Sequence, residues 1–306
     1  MSKTIVIVLS ETRADELTFD SFKKNVIDEL NADLCVCIGV KPDYDYNNPF
    51  YNLAKYRFTY NEPDDFGDAF EYAYNTILSQ NKPKIEENVI TYEKPLYWRE
   101  FLKLKDQFLG GIKDSHNEHP GSAGILIFFR WFLLKNLIDN DLINKYDRFI
   151  VTRSDFIYEL PHPKVEYMNE NCIWIPDSEH YGGYTDRHVV LSKNNVESYL
   201  NIFNNFVLRS NEYFMKMKDK YNWNLERLIK FHLEQNNVLH LVKEFPYIMY
   251  SVRSITGSTR WTVGNYSSKL GYFIKYQTEY DRSNYYKNEF QQSGLNIDEF
   301  YKKNVL

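Results

Sequence analysis

Two apolar runs that do not alternate with polar residues set the fold. Thr4 to Leu9 (Thr-Ile-Val-Ile-Val-Leu) and Phe149-Ile150-Val151 are β-branched or otherwise apolar throughout, without the polar-every-second pattern of a half-exposed strand. Such runs belong to strands buried on both faces, and a sheet covered on both faces is a parallel or mixed one flanked by helices. Between them, Phe19, Phe22, Val26, Ile27 and Leu30 recur at helical spacing over Thr18–Leu30, and Asp33 to Gly39 predicts the next strand. The chain therefore opens strand, polar loop, helix, strand, which is the start of an α/β, Rossmann-like mixed sheet flanked by helices.

The polar stretches that follow the buried runs are the candidate site. Ser10-Glu11-Thr12-Arg13 follows the first run and Arg153-Ser154-Asp155 follows the second. In open α/β sheets ligands collect beyond the carboxyl ends of the strands, so an acid or a cation there is placed to meet a phosphate, a metal or a sugar hydroxyl. The first loop lacks the glycines of a dinucleotide fingerprint or a P-loop. Arg13 has two readings, a ligand contact or a surface pair with Glu11 or Asp15.

Further along, Pro161-His162-Pro163 forces an extended loop, Ile173-Trp174-Ile175 predicts a strand, and Gly182-Gly183-Tyr184-Thr185-Asp186-Arg187 precedes another at Val189–Leu191. Paired glycines let backbone approach a ligand closely. Asp155 and Asp186 are expected to meet over one cleft.

The remaining helices are expected at Phe66–Leu78, Pro95–Phe108, Ala123–Ile138, Asn201–Met217 and Trp223–Leu233, with Ser122 and Asn224 as caps. Strands are expected near Tyr56–Tyr60, Val89–Tyr92, Val238–Val242 and Tyr247–Val252. Arg130, within an otherwise apolar helix, is expected to snorkel or find an acid. His116 and His119 read as a polar turn. From Leu270 the chain reads as a helical or irregular tail, and the two blocks 1–265 and 266–306 divide it into a main domain and an extension packed on it.

Composition excludes several classes. The net charge of −5 argues against general nucleic-acid binding, which needs a concentrated basic surface. Three cysteines, Cys35, Cys37 and Cys172, make neither a disulfide framework nor a zinc site and suit a reducing compartment. The first apolar run is too short for a signal peptide, and Arg130 and Lys135 interrupt the longest one, so no transmembrane segment is expected and the setting is cytoplasmic.

The order Tyr-Asp-x-x-Ile-x-x-Arg-x-Asp (Tyr146 to Asp155), Ile-x-Ile-Pro (Ile173 to Pro176), Gly-Gly-x-x-Asp-Arg (Gly182 to Arg187), then Ser192 and Tyr199, resembles glycosyltransferases of the GT-A type found in algae, microbes and large DNA viruses. The Leu9-to-Arg13 loop is similar to their nucleotide-binding opening, with Ser10 in place of a common Gly. The resemblance implies a GT-A-like fold that transfers a sugar from a nucleoside diphosphate sugar, a UDP-sugar above others, to a carbohydrate or glycan hydroxyl. It implies a divalent cation, Mn²⁺ or Mg²⁺, on an Asp-x-Asp motif. Here that triplet is Arg153-Ser154-Asp155, so Asp155 either anchors the metal alone or Arg153 neutralises the diphosphate in its place. The donor-binding set is then Ser10, Thr12, Arg13, Arg153, Asp155, Gly182, Gly183, Arg187, Arg253 and Arg260, with Trp261 a stacking surface. Asp186 and Glu226 are the acid–base candidates. A non-catalytic glycan-binding or degenerate transferase domain is the alternative.

Overall fold

The two non-alternating runs become adjacent strands at the centre of the sheet. The computed structural model describes residues 2–81, 95–104, 108–220, 222–256 and 262–305. Its strands, in chain order, are β1 (Thr4–Ser10), β2 (Asp33–Val40), β3 (Tyr56–Asn61), β4 (Arg148–Thr152), β5 (Phe156–Tyr158), β6 (Ile173–Pro176), β7 (Val189–Ser192), β8 (Val242–Phe245), β9 (Met249–Arg253), β10 (Asn265–Ser267) and β11 (Tyr272–Ile274). A seven-stranded mixed sheet runs β3-β2-β1-β4-β7-β6-β8, and a smaller one runs β10-β11-β9-β5. In the large sheet β1, β2, β3 and β4 are parallel, and β7 runs against both its neighbours.

Successive residues of a strand point to opposite faces, and both faces of this sheet are buried. Ile5, Ile7, Leu9, Cys35, Cys37, Phe149 and Val151 form one core with the helices Phe66–Gln80 and Ala123–Asp139. Val6, Val8, Leu34, Val36, Ile38 and Ile150 form the other with Phe22, Phe50, Trp174, Phe300 and Tyr301. The last two belong to the helix Ile297–Val305, so the end of the chain covers the second face.

Several elements differ from the sequence reading. The segment expected as a helix over 95–108 is a 3₁₀ turn, Trp98–Lys103, in its described part. Trp98 and Phe101 are both buried three positions apart, which suits a three-residue turn. The helix expected over 201–217 is two, Ile202–Leu208 and Ser210–Met217. The strand expected at Val238–Val242 starts only at Val242, after a 3₁₀ turn. The strand expected at Val89–Tyr92 lies outside the described residues. Ser122 stands at the start of its helix without a capping side-chain bond, whereas the Asn224 side chain accepts from Arg227 N. Arg130 neither snorkels nor meets a carboxylate. It is 1 % exposed and donates to two main-chain carbonyls, Leu126 O at 3.2 Å and Asp186 O at 2.9 Å. The tail contains a hairpin, β10–β11, which pairs onto β9, followed by the helix Gln277–Ser293.

Candidate functional site

The sheet order reverses its direction of growth between β1 and β4, and the loops leaving their carboxyl ends meet there. Ser154 Oγ accepts from Arg13 N at 2.8 Å and lies 3.0 Å from Glu11 O, to which it donates; Thr18 Oγ1 donates to Ser154 O at 2.7 Å. Ser10 takes φ 76°, the left-handed region that favours glycine, so the serine occupies a glycine conformation at a cost of about 1 kcal/mol. That turn carries Arg13 to the cleft. Its guanidinium makes the surface pair with Glu11, and Arg13 also lines the cavity. Burial pulls it down to about 10.

The cleft has a floor and a wall. Asp155 forms the floor, 1 % exposed. Arg153 grips it with two parallel bonds, Nε to Oδ1 at 2.8 Å and a terminal nitrogen to Oδ2 at 2.7 Å, and Arg253 donates to Oδ2 from β9. Burial alone would raise the Asp155 carboxyl, but Arg153 and Arg253 outweigh it and hold it well below the usual range. Two guanidiniums share one carboxylate, so this trio carries a net positive charge. Two buried donors of Arg253, Nε and one terminal nitrogen, have no hydrogen-bond partner among the described residues. At the end of β11, Lys275 lines the same cavity.

This arrangement does not suit a metal held by Asp155. Both carboxylate oxygens face guanidinium donors, and among the described residues no group of three His, Cys, Asp or Glu side chains is placed to share a cation.

The wall is made by Asp186, Arg187 and Glu226. Arg187 is 5 % exposed and donates to Glu279 Oε1 at 2.6 Å and Glu179 Oε2 at 3.1 Å, with Asp186 Oδ1 3.8 Å from its Nε. Its guanidinium stacks on Tyr276, 4.1 Å from the ring centre, and on Tyr181 at 5.2 Å. Glu279, fully buried on the helix Gln277–Ser293, also accepts from Tyr247 Oη at 2.8 Å and Ser251 N at 2.7 Å. Three carboxylates (Asp186, Glu179, Glu279) thus face the one guanidinium of Arg187 before Glu226 is counted, while Arg130 reaches only the Asp186 main-chain carbonyl. Burial and the neighbouring Asp186 raise Glu226 to about 7. Floor and wall join through Arg153, Arg187 and Lys275, which line both halves of the cleft.

The expected residues therefore separate. Ser10, Arg13, Arg153, Asp155, Asp186 and Arg187 line the first half of the cleft, and Glu226 joins Asp186 in the second, so Asp155 and Asp186 do share it. Arg253 stands behind Asp155. Thr12 turns away and shares a 2.8 Å hydrogen bond with Tyr44 Oη, beside the ring cluster Tyr44, Tyr46 and Tyr51. Gly182 and Gly183 pack closely against the protein itself. A Cβ on Gly183 would lie 1.9 Å from Glu226 O, and one on Gly182, at φ 83°, would meet Arg227. Their lack of side chains lets the loop dock on the start of the Glu226 helix, where Tyr184 N donates to Glu226 O at 3.0 Å. Arg260 and Trp261 lie outside the described residues. Sequence reasoning missed Lys275, Tyr276, Glu179 and Glu279. Only Lys275 left a signal, a cation directly after Tyr-Phe-Ile, as Arg153 follows β4.

No family model matches the chain, and no curated protein does. Among solved structures it is similar to mouse xyloside xylosyltransferase 1 in its apo form, at 8 % identity and a TM-score of 0.36, over 80 % of this chain and 85 % of that one. That likeness is too loose to inform the site.

Proposed function

We propose that the protein is a glycosyltransferase that moves a sugar from a nucleoside diphosphate sugar to a hydroxyl of a carbohydrate or glycan. The observation that carries the reading is the polarised cleft. A cation-rich floor lies at the carboxyl ends of β1 and β4, and a carboxylate-rich wall with Glu226 near 7 stands beside it. The floor suits a diphosphate, since Arg153, Arg13 and Lys275 line it and offer charge-assisted donors without a bridging metal, with Arg253 adding its charge from behind Asp155. The Tyr44–Tyr46–Tyr51 cluster, tied to the β1 loop through Thr12, suits stacking of the base.

On the wall, Glu226 takes the proton of the acceptor hydroxyl as that oxygen attacks the anomeric carbon, the bond from that carbon to the phosphate oxygen breaks and the nucleoside diphosphate leaves onto the floor; Asp186 keeps Glu226 basic enough to do so. Asp155 acts through the guanidiniums it orients. A UDP-sugar is the first donor to test, and metal independence is part of the proposal.

A panel of UDP- and GDP-sugars, each with EDTA, Mg²⁺ or Mn²⁺, tests it by melting temperature and by release of nucleoside diphosphate. One donor is expected to raise the melting temperature in EDTA and to turn over with a sugar acceptor. The rate should rise with pH to a plateau above about 7, as Glu226 loses its proton. Glu226→Gln should keep the thermal shift and lose roughly 10²- to 10⁴-fold in turnover. Absence of any shift removes the donor reading. A shift without turnover under every condition leaves a binding domain.

A further inference from the structure

Lys275 is a cation without an acid. It is 9 % exposed at the end of β11 and lines both halves of the cleft. Among the described residues it makes no ion pair or side-chain hydrogen bond, and its Nζ rests 4.9 Å from the centre of the Tyr276 ring. The charged groups around it come from every side. The β4 loop presents Arg153 and Asp155, β9 presents Arg253, the loop before β7 presents Asp186 and Arg187, and the helix Leu225–Gln235 presents Glu226. Arg13, Glu11 and Glu62 line the far side of the first cavity.

The nearer acids are already engaged. Asp155 is shared between two guanidiniums, and Asp186 lies by Arg187, itself held by Glu179 and Glu279. A buried ammonium on which guanidiniums act more strongly than acids favours losing its proton. Burial first, then Arg153 and Arg253, pull Lys275 down to about 6.

We propose that Lys275 is neutral in the ligand-free cleft and takes a proton from solvent when a diphosphate diester settles on the floor, so that donor binding completes the cation cluster. This rests on the donor reading above and adds to it a proton that travels with the ligand. The incoming anion supplies the opposite charge that the protein withholds, and the ammonium then donates to it. Below about pH 6 the lysine is already charged and no proton is taken up. Above that, up to the bound-state value, affinity falls by as much as about tenfold for each unit that pH rises.

The test follows lysine carbon-13 at Cε by NMR in the full-length protein. Lys275→Arg identifies the signal by its loss, with Lys275→Met as a second variant should the guanidinium not be accommodated. The probe is symmetrical dimethyl diphosphate, whose phosphoryl groups are both esterified and carry no titrating proton of their own in this range. We expect the Lys275 signal to titrate near 6 in the free protein and, at about pH 7.5, to shift to its ammonium position as millimolar probe is added. If Lys275 is already an ammonium at that pH without the probe, or stays neutral while other cleft signals move, the proton linkage is wrong and the donor site stands. If no cleft signal responds to the probe, the anion site falls, and the transferase reading loses its donor half with it.

Discussion

On the floor of the cleft one carboxylate is shared by two guanidiniums; on the wall three carboxylates share one guanidinium, that of Arg187, and Glu226 stands as a fourth acid. The residue types are the same, and the ratio decides what each surface can accept. Excess cation keeps Asp155 ionised far into acid and leaves the floor with a net positive charge to meet an anion. Excess carboxylate, with burial, leaves Glu226 holding or releasing its proton near 7. Burial sets the strength of both effects, because charges that are largely buried are weakly screened by solvent.

The largest expected effect comes from inverting the floor. Asp155→Asn keeps the volume but leaves Arg153 and Arg253 facing each other in a buried site. We expect a loss of about 3–5 kcal/mol in urea unfolding at neutral pH, the range for breaking a buried pair by removing one partner. The folded-state carboxyl lies below its unfolded value, so its contribution is complete above the ordinary carboxylate range and is lost as pH falls toward the folded value. The gap between wild type and variant should therefore be constant near neutrality and narrow in acid. A variant as stable as the wild type would mean that the trio is not what holds β4, β5 and β9 together.

Relaxing the wall should do less. Glu279→Gln leaves Arg187 with Glu179 and Asp186 and weakens four charge-assisted bonds, for about 2 kcal/mol in the same measurement. Its diagnostic readout is kinetic. With one negative charge gone, Arg187 acts more strongly on Asp186 and Glu226, so the rising limb of rate against pH should move below about 7. Lost stability with an unmoved limb would make Glu279 a structural acid only, and the wall would no longer be one electrostatic unit.

What could be read in the sequence was local. The runs at Thr4–Leu9 and Phe149–Val151 lack alternation, so their burial on both faces was visible, and Arg13, Arg153 and Asp155 were visible as polar residues that end them. Asp186 and Glu226 were reachable in the same way, one beside a glycine pair and one at a capped helix start. The Arg187–Glu279 pair spans 92 positions, and no spacing rule connects a tail helix to a loop before β7. Strand β11 has three residues, too few for a period, so Lys275 sat in a stretch that reads as tail. Gly182 and Gly183 show a different limit. Their small size was legible, but whether a ligand or the Glu226 helix fills the space depends on packing.

The smallest expected effect isolates burial. Glu212 is held like Asp155, by a guanidinium with two bonds, Arg209 at 2.9 Å each, and by a second cation, Lys216 at 2.7 Å. Arg209 and Lys216 bring it down to about 2, yet its side chain is 40 % exposed. Water already solvates all three groups in the unfolded chain and continues to do so here, so forming the pair gains little. Glu212→Gln is expected to cost about 0.5 kcal/mol or less at low ionic strength and to become neutral in high salt. The Asp155→Asn deficit should largely survive the same salt, because a buried pair is screened far less than an exposed one. Paired unfolding curves for the two variants at low and high salt decide the matter. If both deficits fade together, the floor is more open to solvent than its burial implies, and its hold on an anion must be correspondingly weak.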